Sequence, residues 1–104
     1  SIKLTFVLPK PGEGPSEKAQ LEGNFDIVFL GSTAKGETIR CRVTGDRDPG
    51  YGSTAKMLSQ AAACLAKDVP KAVPGGFWTP ATILGDKFIA RLEAHAGLTF
   101  EILA

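Results

Sequence analysis

Scarcity narrows the function of this 104-residue chain before any motif is read. Cysteine occurs twice and histidine once, with no C-x-x-C spacing, so Cys41, Cys64 and His95 signal neither a zinc site nor a Cys/His pair. Two reduced, buried thiols of a cytoplasmic protein are the expectation. A surplus of either charge is missing: 12 Lys and Arg stand against 11 Asp and Glu, which gives no electrostatic case for nucleic acid or an anionic membrane. No apolar run approaches the roughly 20 residues of a membrane span, and nothing at the start has a signal-peptide pattern. The chain also lacks an initiator Met, which points to an excised piece of a longer protein; processing or a tag scar at Ser1 gives the same sequence.

What is present is an ordinary globular composition, 43% apolar and 22% charged, sufficient for one domain over residues 1–104. Folding of a chain this long buries about 60–70% of the surface exposed when unfolded, so no staples are needed. Residues 2–8 alternate, with Ile2, Leu4, Phe6 and Leu8 on one face, as a half-buried strand does. Pro9 to Pro15 break it, and Ser16 caps a short helical turn that Gly23 ends. Residues 25–30 and 38–44 then make two strands, with Phe25, Ile27, Phe29, Ile39, Cys41 and Val43 inward, joined through a polar connection as an antiparallel hairpin.

A helix follows from Ser53 or Thr54 to Lys67, with Leu58, Ala61, Ala62 and Leu65 as its apolar stripe. After a Pro/Gly loop over 68–76, Thr79-Pro80 starts a second helix that carries Ala81, Leu84, Phe88, Leu92 and Ala96 and stops at Gly97. Residues 98–102 form the last strand. The pattern predicts an α+β domain: a mostly antiparallel four-stranded sheet, ordered β-β-β-α-α-β, with two helices packed on one face.

The stretch Gly45 to Met57 joins the hairpin to the first long helix. Gly50, Gly52 and Ala55 spell G-x-G-x-x-A, a dinucleotide fingerprint when a parallel strand precedes it and another with an acidic residue follows. The strand before it alternates Arg with apolar residues, and a Pro/Gly loop follows the helix, so the pattern lacks that setting. A Walker motif is excluded because Lys56 neither follows Gly nor precedes Ser or Thr. Two readings stay open. Either Asp48-Pro49-Gly50 is a tight turn and the glycines only steer the chain, or Arg47, Gly50, Tyr51, Gly52, Ser53, Thr54 and Lys56 offer donors to an anionic substrate group at the helix start. Tyr51 is a packing residue or a proton donor, and His95 sits in the last helical turn facing the dipole. Phe77-Trp78 seal the start of the second helix or wall an apolar contact. No nucleophile with its base, no acid/base pair and no metal cage assembles, so no catalytic, cofactor-binding or metal residue is assigned.

The segments Pro11 to Ser16, Asp48 to Met57, Thr79-Pro80-Ala81 and Gly85-Asp86 together resemble the C-terminal region of the saccharopine dehydrogenase-like oxidoreductases, within them the branch that includes trans-acting enoyl reductases. The resemblance covers nearly the whole chain in order. It implies a C-terminal substrate-cleft and dimerisation part of an NAD(P)-dependent oxidoreductase, whose hydride chemistry belongs to its own N-terminal Rossmann domain. NAD(P) is then expected in the parent protein and no cofactor in this piece. Its partners would be that domain, a small-molecule substrate and a second subunit. The alternative is a non-catalytic interaction or dimerisation module.

Overall fold

The computed structural model describes residues 10–103, so the strand expected over residues 2–8 lies outside the described residues. The elements are α1 (Glu17–Glu22), β1 (Phe25–Ser32), β2 (Thr38–Gly45), α2 (Gly52–Lys67), α3 (Pro80–His95) and β3 (Leu98–Leu103). The α+β class is as expected. Among the described residues the sheet has three strands rather than four, in the order β1-β2-β3, with both pairs antiparallel.

The hairpin forms because β-branched and aromatic residues alternate through both strands and Gly36 takes φ +85° in the turn between Ser32 and Thr38. Pairing sets Phe25 opposite Gly45 and Gly45 opposite Leu98, with Ile27, Val43 and Phe100 in the next row of the same face. The other face is mixed: Asp26 accepts from Arg42 and the Thr44 and Thr99 hydroxyls lie 2.5 Å apart across β2 and β3, with Val28 and Leu30 exposed beside them.

The core sits where α3 crosses one end of this sheet. Leu92 of α3 and Ala96, which caps it, meet Leu98, and Phe25, Val43, Met57, Phe88 and Phe100 pack around them. The principal helix contacts are α2 with α3 and α3 with β3, so α2 is layered largely on α3 instead of lying directly on the sheet beside it. At the α2–α3 seam the Asp68 carboxylate accepts from the Arg91 guanidinium, whose Nη1 also reaches Gln60 at 3.3 Å, while Lys87 donates to the Asp68 carbonyl at 2.7 Å. The Arg91 pairing holds the Asp68 carboxyl below the usual range, and burial pushes the neighbouring Cys64 thiol up.

Helix α3 departs from the expected single rod. Gly85 has φ 53° and ψ −145°, which breaks the helix and sets the Pro80–Leu84 turn at an angle to the remainder. The stripe on α2 also differs: Ser53 and Cys64 are buried and Met57, Gln60 and Ala61 half-buried, while Leu58 and Leu65 face outward.

Candidate functional site

The site candidates cluster at the joint between β2 and α2, and their arrangement follows from Asp48. A helix start leaves backbone N–H groups without intrahelical acceptors. Here the residue before the helix, Tyr51, offers no side-chain cap, and the helix starts at Gly52, one residue before the expected Ser53 or Thr54. Instead the Asp48 carboxylate reaches forward and accepts from the amides of Gly50 at 2.9 Å, Tyr51 at 3.1 Å and Gly52 at 2.6 Å. Its own carbonyl accepts from Ser53 N at 2.8 Å. These amides hold the Asp48 carboxyl below the ordinary aspartate range, the Gly52 bond contributing most.

The side chains of the loop are used the same way. Ser53 is fully buried and donates to the Arg47 carbonyl at 3.0 Å, and Thr54 donates to the Pro49 carbonyl at 2.7 Å. Lys56 Nζ lies 3.1 Å from the Asp46 carboxylate, and Arg47 donates to the Asp46 carbonyl at 2.9 Å with its guanidinium 3.6 Å from the same carboxylate. The Tyr51 ring covers Gly14, where a Cβ would stand 3.4 Å from it.

All seven expected residues are therefore brought together, but the positive ends of the cluster face Asp46 and Asp48 of the chain itself. An incoming carboxylate or phosphate would have to take the place of one of these carboxylates. Beside the joint, Glu17, Gln20, Leu21, Arg47, Gly52 and Lys56 line a shallow depression of about 310 Å³, in which Arg47 and Lys56 are the cations.

The tightest backbone approaches surround the same joint. A Cβ at Gly23 would come within 2.7 Å of Asp48, one at Gly97 within 2.3 Å of Asp46, and one at Gly45 within 2.1 Å of the Phe25 ring. These glycines lie outside the G-x-G-x-x-A pattern; Gly23 and Gly97 stand where the sequence ends a helix, Gly97 with the left-handed φ of 69° that a terminator takes, but their close approach to Asp48 and Asp46 has no local signature.

The apolar contact that the sequence offers for Phe77-Trp78 is met by Trp78, though not by Phe77. Leu58, Ala61, Leu65, Trp78, Ile83 and Leu84 wall an apolar groove of about 460 Å³ between α2 and the kinked start of α3. Phe77, beside it, is fully exposed, and the Trp78 indole donates to the Pro74 carbonyl at 3.2 Å. His95 stands away from the joint, near Lys67, Asp68, Lys87 and Arg91. Among the described residues no group of three metal-ligating side chains occurs.

The sheet and joint define an α+β unit whose glycine loop is a capped strand-to-helix connection in an antiparallel sheet, unlike the parallel βαβ setting of a dinucleotide site. Its similarity is to reductases. A Mycobacterium tuberculosis protein described as a candidate trans-acting enoyl reductase is 38% identical over 96 residues, 91% of this chain and 23% of its own length. A trans-acting enoyl reductase of the same species is 39% identical over 87 residues, 83% of this chain and 21% of its own. One from Mycobacterium ulcerans is 34% identical over 90 residues, 86% and 21%. The chain thus spans less than a quarter of the length of these curated relatives. No family model matches the chain, and no solved structure matches it significantly.

Proposed function

We propose that this chain is the C-terminal substrate-cleft and subunit-contact part of a saccharopine dehydrogenase-like, NAD(P)-dependent oxidoreductase of the enoyl reductase kind. The observation that carries the reading is the 38% identity along 91% of the chain to a protein about four times as long. On this reading the nucleotide and hydride chemistry belong to a Rossmann domain elsewhere in the parent polypeptide. The present residues shape the cleft for a small molecule bearing an enoyl group, a carbon–carbon double bond conjugated to an acyl carbonyl. Free Cys41 and Cys64 suit a cytoplasmic, reducing setting.

The joint serves this role first as a rigid corner. Arg47 and Lys56 are its members with a route to a ligand, because both line the depression beside α1 and would reach an anionic substrate group by exchanging Asp46 for it. Steady-state kinetics of the parent polypeptide test this: Arg47→Gln or Lys56→Gln should raise KM about tenfold with kcat little changed, the signature of lost uniform binding. Unchanged KM in both variants assigns the joint to structure alone. The broader reading is tested by nucleotide titration: the parent polypeptide binds NADPH and the 104-residue chain does not.

A further inference from the structure

The sheet carries an apolar face that its own helices leave half bare. Strand alternation and register place Phe25, Ile27, Phe29 and Gly31 of β1, Ile39, Cys41, Val43 and Gly45 of β2, and Leu98, Phe100 and Ile102 of β3 on one side. Helix α3 covers the rows at Gly45 and Val43 only. Beyond them Ile27 is 45% exposed, Phe29 53%, Ile39 51% and Ile102 73%, and no charged residue shares their face. A sheet that faces water carries polar side chains there, and free-standing edges are guarded by inward charges or proline. This face has neither.

The relatives carry more than three quarters of their length beyond the matched region, enough chain to supply the missing half of a shared core.

We propose that the uncovered half of this sheet face, centred on the Phe29–Cys41–Ile102 row, is the docking surface for the remainder of the longer polypeptide, which completes the core there. The inference rests on the parent protein described above. The occupant presents an apolar layer of the same chain, and the two pieces form one folding unit.

Cys41 is a built-in probe, since it is half-buried in the central row of the patch, while Cys64 is fully buried between α2 and α3 and serves as the internal control. Maleimide labelling of the native parent polypeptide, followed by mass spectrometry, should find Cys41 at least about 100-fold slower than in the urea-unfolded protein, as slow as Cys64. Cys41 labelled within about tenfold of its unfolded rate while Cys64 stays protected overturns the proposal. Equal protection of Cys41 in the 104-residue chain alone, dependent on concentration or not, also overturns it by assigning the cover to a second copy or to the chain itself. NADPH binding, measured on the same sample, separates the two claims. A parent that binds NADPH with Cys41 freely reactive keeps the enzyme reading and loses the docking surface; one with Cys41 protected and no nucleotide binding does the reverse.

Discussion

At the scale of single residues, Asp48 decides what the glycine loop is. Its carboxylate fills the place at the α2 N-terminus that the sequence leaves open for a ligand, and it does so because three successive amides converge on it. The folded pKa lies below the unfolded one, so this contribution to stability is complete above the ordinary aspartate value and disappears as pH falls through the folded value. Thermal melts should show Asp48→Asn below wild type by a constant margin from about pH 7 to 5, and the margin closing below about pH 4. A margin independent of pH would mean that the carboxylate charge contributes nothing to the joint. Gly97 is the second fixed point, with φ 69° and the Asp46 carboxylate where a Cβ would go. Gly97→Ala should cost about 1–3 kcal/mol in urea unfolding. The sequence shows G-x-G-x-x-A and the helix-ending places of Gly23 and Gly97, whereas the carboxylate that occupies the loop and the close approach of Asp48, Phe25 and Asp46 to the glycines at 23, 45 and 97 are set by contacts between separate segments.

Among the elements, the strands were the most legible and α2 the least. Alternation through β1, β2 and β3 located each strand to within two residues and put its apolar residues on one side, because a period of two admits only one apolar side; Ile27, Phe29 and Ile39, expected inward, are nevertheless exposed. On α2 two stripes satisfy the helical period. One carries Leu58, Ala61, Ala62 and Leu65; the other runs through Ser53, Met57, Gln60 and Cys64, and this second one is packed. Hydrophobicity favours the first, but the polar members of the second are satisfied by distant partners, Ser53 by the Arg47 carbonyl and Gln60 by Arg91. The kink at Gly85 is equally silent, since glycine inside a helical pattern is tolerated without one. The packing assignment predicts a clear contrast. Leu92→Ala should cost about 2–5 kcal/mol, and Leu58→Ala within about 0.5 kcal/mol in the 104-residue chain. Equal costs by urea denaturation would place α2 in the other orientation.

For the molecule as a whole, the fold class was readable because two long helix patterns interrupt a set of alternating strands. The apolar groove and the bare sheet face were not, since a sequence shows which residues are apolar and leaves open what covers them. Those surfaces, with reductase relatives about four times as long, support the proposal that the chain is one part of a larger oxidoreductase. On that proposal the glycine loop is a corner of the part, and nucleotide chemistry belongs elsewhere in the polypeptide. Isothermal titration of the 104-residue chain and of the parent polypeptide with NADPH tests this most directly. No heat of binding to the chain and saturable binding to the parent are expected; micromolar affinity in the chain alone contradicts the assignment.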